Sequence, residues 1–238
     1  MIQVDELTVR FGGVIPIDRM TLSFPGGTCG LIGPNGAGKT TFFNVLSGFV
    51  RPIGGQVRAF GEDILAMADF RRARWGVRRT FQTEQAITNL SVYENVLLVH
   101  ENTGGSGSSR RQEVLDAISF VGLEREAKLQ VSTLGAGQRR LVEVARAVVG
   151  SPKLVLLDEP AAGLPDEETE HLSHVIQRIP EETGALVILV DHDMSLVSAC
   201  CGTTAVLDFG KLIASGPTGE VLRNEHVIRA YLGTEENV

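Results

Sequence analysis

The stretch Gly33-Pro34-Asn35-Gly36-Ala37-Gly38-Lys39-Thr40-Thr41 constrains this chain more than any other. It fits the phosphate-binding pattern G-x-x-x-x-G-K-[ST], which requires a strand before it and a helix after it. Both are in place. Thr28 to Ile32 is a short apolar run bounded by Gly26-Gly27, and Thr41 to Leu46 lacks Gly and Pro and suits a helix. Glycines let such a loop turn backbone N–H groups toward phosphate oxygens, and the helix start adds partial positive charge. Lys39 would reach the β- and γ-phosphates, and Thr40 would offer its hydroxyl to Mg²⁺. The competing reading is a chance glycine-rich turn, so the other parts of a nucleoside triphosphate site must also be present.

The flanking segments fit an α/β fold. From Ile2 to Phe24 apolar and polar residues alternate (Ile2, Val4; Leu7, Val9; Leu22, Phe24) around a Gly12-Gly13 break, which predicts antiparallel strands with one buried face. Gln56 to Phe60, bracketed by glycines, reads as a strand that rejoins them. The middle changes character: Val92 to His100, Arg111 to Val121 and Gln138 to Val149 read as helices, the last with Leu141, Val144, Ala145 and Val148 on one face. Between the first two, Thr103 to Ser109 has the composition of a flexible connection. After Pro152 come a strand (Leu154 to Leu157), a helix carrying Leu172, Val175, Ile176 and Ile179, and a strand (Ala185 to Val190). A hairpin turning at Gly210, a terminal helix (Val221 to Leu232) and a frayed acidic tail complete the chain. Continuous apolar strands alternating with helices predict a largely parallel, buried sheet.

Composition excludes several function classes. The longest apolar runs, such as Ala185 to Val190, are far too short to span a bilayer. The acidic start Met1-Ile2-Gln3-Val4-Asp5-Glu6 is unlike a secretory signal, which points to the cytoplasm. A net charge of -7 argues against an extended nucleic-acid footprint, so Arg71, Arg72, Arg74, Arg78 and Arg79 read as a solvated basic face. Cys29, Cys200 and Cys201 have neither disulfide nor metal-ligand spacing and read as reduced structural thiols.

The apolar run Leu154 to Leu157 ends in Asp158-Glu159, two carboxylates at the carboxyl end of a parallel strand, where open α/β sheets bind ligands. Asp158 would hold the metal, directly or through water. Glu159 would polarise the water attacking the γ-phosphate. An exposed turn before Pro160 is the bland alternative, and the phosphate loop in the same chain argues against it.

With these parts the chain resembles, over nearly its whole length, the nucleotide-binding subunit of ATP-binding cassette (ABC) transporters. The resemblance also rests on Arg79-Thr80-Phe81-Gln82 at the family's glutamine loop, Leu134-Gly135-Ala136-Gly137-Gln138 at its signature and Val190-Asp191-His192-Asp193 at its histidine switch. It implies a P-loop NTPase core with a mainly parallel sheet, an N-terminal antiparallel β-subdomain and an inserted helical subdomain. The single domain 1–238 would divide into a core (1–82 and 151–238) and a helical signature lobe (83–150). The cofactors implied are ATP and Mg²⁺.

By the same resemblance, Phe11 would stack on adenine, and Gly33, Asn35, Gly36, Ala37, Gly38, Lys39, Thr40 and Thr41 would hold the phosphates. Thr40, Gln82 and Asp158 would hold the metal; Glu159, His192, Gln82 and Lys39 would carry catalysis. In this family two cassettes close head to tail, so Gly135, Gly137 and Gln138 would cap the nucleotide of a second subunit, identical or paralogous. Two departures stand out. Gly135 replaces the usual signature serine, and Pro165 stands where the cross-dimer loop carries Asp or Asn, with Asp166 one place later.

Within the family, Arg79-Thr80-Phe81-Gln82, the run Asp158 to Leu164 and the ending Val227 to Gly233 resemble importers of branched-chain amino acids and related polar solutes. The implied partners are a transmembrane permease docking near Thr83 to Tyr93 and, indirectly, a solute-binding protein, with no nucleic acid. The expected location is the inner face of the cell membrane. Two rivals are an ATP-binding regulatory or structural module with weak turnover and a lipid or lipopolysaccharide export ATPase.

Overall fold

The computed structural model of the chain describes residues 1–103 and 109–232. The expectations of a flexible connection and a frayed tail fall on 104–108 and 233–238, outside the described residues. β1 (Ile2–Phe11) and β2 (Val14–Phe24) form the antiparallel hairpin read from the alternating pattern, with register shifts where Glu6 and Arg19 adopt positive φ. β3 (Thr28–Ile32) leads into α1 (Lys39–Ser47). β4 (Gly54–Ala59) pairs with β1, and β5 (Glu62–Asp63) completes a four-stranded sheet in the order β2-β1-β4-β5.

α2 (Asp69–Trp75) and β6 (Val77–Arg79) follow, then α3 (Val92–Asn102), α4 (Arg110–Phe120) and α5 (Ala136–Val148). The chain continues through β7 (Leu154–Asp158), α6 (Asp166–Thr183), β8 (Leu186–Val190), α7 (Met194–Cys200), β9 (Thr203–Asp208) and β10 (Lys211–Pro217), and closes with α8 (Thr218–Val221) and α9 (Glu225–Leu232). The second sheet has the order β10-β9-β3-β8-β7-β6 and is parallel except at its edge strand β10.

Strand periodicity divides the core between the two faces of this sheet. Leu154 and Leu156 face α1 and the antiparallel sheet; Val155 and Leu157 face α3 to α7, where Leu141, Val144, Ala145 and Val148 of α5 are buried as expected. β7 is buried along its whole length, so Asp158 at its end is placed by a rigid strand.

Two expectations are corrected. The arginine cluster is only partly a solvated face: Arg71 and Arg74 are exposed, but Arg72 is 6% exposed and Arg78 5%. Arg72 donates to the Val45 and Leu46 carbonyls at the end of α1, the first of which also accepts the Gly48 N–H, and to the Met67 carbonyl. Arg78 donates to the Ala73 and Val77 carbonyls, and burial lowers its pKa to about 10. Nor is the terminal helix continuous. It breaks at Leu222 to Asn224, because the Asn224 side chain accepts the His226 N–H at 2.9 Å while its carbonyl accepts that of Ile228, starting a new helix.

Candidate active site

β3 delivers the phosphate loop and α1 carries it away. Gly33 (φ 150), Gly36 (φ 82) and Gly38 (φ 104) hold backbone angles that disfavour other residues. Space enforces the choice at two of them. A Cβ on Gly33 would run into the Leu207 carbonyl and one on Gly38 into the Pro16 carbonyl, whereas Gly36 faces open space. Among the described residues the N–H groups of Gly36, Gly38, Lys39, Thr40 and Thr41 have no acceptor, which leaves a ring of donors at a helix start. Lys39, 6% exposed, donates to the Gly33 and Pro34 carbonyls. Burial pushes its ammonium pKa down, and the charges of Glu159 and Asp158 pull it back. Asn35 and Thr40 are exposed and Ala37 is buried.

β7 ends at Asp158, whose carboxyl is raised by burial against the opposing pull of Arg79. Arg79 Nη2 donates to Asp158 Oδ2 at 2.8 Å, Nη1 donates to Asn44 Oδ1 at 2.6 Å, and the guanidinium lies over the Phe43 and Phe81 rings. The Asp158 N–H donates to Thr80 Oγ1. At Glu159 the backbone turns out of the strand with φ 47, a conformation costing a non-glycine residue about 1 kcal/mol or more and characteristic of functional sites. The turn is held by the Glu159 N–H donating to the Val190 carbonyl at 2.7 Å.

This turn presents the Glu159 carboxylate to two side chains. Gln82 Nε2 donates to Oε2 at 2.7 Å, and His192 Nε2 donates to Oε1 at 2.8 Å. The three residues follow β6, β7 and β8, so three adjacent parallel strands deliver them to one place. Asp193 fixes the segment after His192 by accepting the Ser195 and Leu196 N–H groups at the start of α7.

Other expected site residues lie apart from this group. Phe11 is 51% exposed at the end of β1, on the hairpin whose Pro16 backs the phosphate loop. Gly135 is exposed with φ −66, and its N–H donates to Gln138 Oε1 at 3.2 Å, so one expected anion donor is occupied from within the chain. The Glu168 carboxyl group of α6 lies against Gly137, where a Cβ would come within 2.6 Å of its Cδ. Among the described residues none of these makes a hydrogen bond to Lys39, Glu159 or His192. Sequence reasoning missed the tie of Arg79 to Asp158 and the part of Asn44; the only signal was a basic side chain at the end of a three-residue strand.

The family model for the ABC transporter matches residues 17–162. The chain belongs to the ABC transporter family. This ABC cassette binds ATP and is an ATP hydrolase. Its residues 211–237 match a second model, the branched-chain amino acid ATP-binding cassette transporter. It is 36% identical to the high-affinity branched-chain amino acid transport ATP-binding proteins BraF of Pseudomonas aeruginosa and LivG of Escherichia coli K12, covering 98% of each chain in both alignments. Among solved structures it matches the ADP conformation of MJ1267, an ATP-binding cassette of an ABC transporter, with TM-score 0.87, 25% identity and 98% coverage of both chains. The dimeric structure of MJ0796, a bacterial ABC transporter cassette, shares the fold at TM-score 0.79 and 24% identity over 92% of this chain and 99% of that one. Among the described residues of this ABC ATPase no helix is long and apolar enough to cross a membrane.

Proposed function

We propose that this ABC ATPase energises import of branched-chain amino acids, or a related polar solute, through a separate permease, as one of two cassettes at the inner face of the membrane. The observation that carries the catalytic part is the convergence of Gln82 and His192 on the Glu159 carboxylate. Glu159 polarises the attacking water, and the two donors hold its carboxylate in one orientation. Lys39 exchanges its carbonyl partners for β- and γ-phosphate oxygens, and the free N–H groups from Gly36 to Thr41 take the remainder. Phe11 supplies an exposed ring for the base. The Gly135 to Gly137 surface faces the nucleotide of the second cassette.

The Thr40 hydroxyl, the Asp158 carboxylate and the Gln82 amide oxygen are hard oxygen donors of the kind Mg²⁺ takes, so the residues present fit the ion. These residues would hold the ion, and it would supply charge neutralisation at the phosphate oxygens. The import reading is supported by the transport named for the relatives BraF and LivG and by the second family match. An assembled Glu159 site argues against a module without turnover.

Deleting the coding sequence from its source organism tests the proposal. Uptake of radiolabelled leucine, isoleucine and valine should fall and be restored by the wild-type chain but not by Glu159→Gln. Unchanged uptake of all three, with loss of another solute, would move the assignment to that solute.

A further inference from the structure

One face of α5 grips the loop that carries Gln82. Arg139 Nε donates to Glu84 Oε2 at 2.9 Å, and Arg140 Nη2 donates to the Gln82 carbonyl at 3.3 Å. One turn further on, Glu143 Oε1 accepts the Gln85 N–H at 2.9 Å, and Arg146 Nη1 donates both to the Gln85 carbonyl and to Glu143 Oε1 at 3.2 Å. The Ala86 N–H also reaches the Glu143 carboxylate. Both backbone polar groups of Gln85 are thus taken by one acidic and one basic side chain of the same helix.

Glu143 is 5% exposed, and burial raises its carboxyl pKa. Replacing such a buried pair by apolar side chains of similar volume is often neutral or stabilising, so stability alone does not account for it. What the pair adds is a single geometry between the loop and the helix. That helix begins at Ala136, within the Gly135 to Gly137 surface.

We propose that Glu143, with Arg146, is a positioning residue that makes the Gln82 to Ala86 loop and α5 move as one body, so that nucleotide sensed at Gln82 resets the Gly135 to Gly137 surface. This rests on the nucleotide-site reading above. The coupling is a local backbone clamp acting through Glu143.

Hydrogen exchange on the full chain, with and without a non-hydrolysable ATP analogue and Mg²⁺, tests it. In the wild type the analogue should slow exchange at residues 33–41, 83–86 and 134–139 together. In Glu143→Ala the Gln85 and Ala86 amides should exchange at least about tenfold faster, and protection at 134–139 should be lost while 33–41 stays protected. Glu143→Gln keeps an acceptor and should restore the coupling. If Glu143→Ala fails to fold, Arg146→Met should give the same loss, reduced in size. Full protection at 134–139 in a folded Glu143→Ala or Arg146→Met variant would overturn the inference. No protection at 33–41 in the wild type would instead overturn the nucleotide reading and this inference with it.

Discussion

Replacing Arg79 by methionine should cost the uncomplexed chain more than most core substitutions. The Arg79 and Asp158 side chains are each 6% exposed, and the pair is 2.8 Å apart. Removing one partner of a buried pair leaves an uncompensated charge, at about 3 to 5 kcal/mol. Methionine keeps contact with Phe43 and Phe81, so the loss is mainly electrostatic. At roughly 2 to 4 °C per kcal/mol for a chain of this size, the melting temperature should fall by roughly 6 to 20 °C. Burial already raises the Asp158 carboxyl, and without Arg79 it rises further. The native state then binds more protons than the unfolded one, so the deficit should narrow from about pH 8 to about pH 5. Adding Asp158→Asn removes the orphaned charge and should recover stability, a coupling read directly by a double-mutant cycle. Denaturant unfolding without nucleotide is the assay. A deficit below about 1 kcal/mol, unrelieved by Asp158→Asn, would refute the electrostatic reasoning.

Three further outcomes are expected. Gly135→Ser is sterically free, with φ −66 and no atom closer than 3.9 Å to a Cβ; a hydroxyl donating to phosphate contributes about 1.5 to 3 kcal/mol, so the variant should strengthen ATP-dependent dimerisation in a Glu159→Gln background. Equal or weaker dimers in sedimentation would show that the missing hydroxyl does not limit closure. Lys39→Ala should weaken nucleotide binding itself, and unchanged affinity by calorimetry would remove its assigned role. Asp191 is 5% exposed with its carboxyl raised by burial. Its native form is the more protonated one, so its contribution to stability falls as pH rises. The melting temperature of Asp191→Asn minus that of the wild type should therefore grow from about pH 5 to about pH 8; an offset independent of pH would contradict this.

Much of the site was legible because its parts sit on strongly patterned segments. Leu154 to Leu157 and Ala185 to Val190 are continuous apolar strands, so the polar residues after them had to emerge at one end of the sheet. Gln82 was legible only through resemblance, since β6 before it has three residues and carries two arginines. The same brevity hid the Arg79 pairing, and α2 was masked by charge that turned out to satisfy the carbonyl ends of α1. The clamp from α5 was invisible because it joins side chains to backbone about 58 to 61 positions away, which no local period records. The break before α9 depended on Asn224 choosing to cap a helix, a local competition that apolar spacing does not weigh.

The most direct test of the assigned site is steady-state ATP hydrolysis by Glu159→Gln at saturating Mg-ATP, with affinity measured on the same preparation. Glutamine keeps the size of the side chain and one of the two acceptor oxygens that Gln82 and His192 donate to, but it cannot take a proton from water. Affinity should stay within about threefold of the wild type while turnover falls by about two to four orders of magnitude, the usual share of a general base. Turnover at the parental rate with intact binding would show that the carboxylate on which Gln82 and His192 converge is not the base.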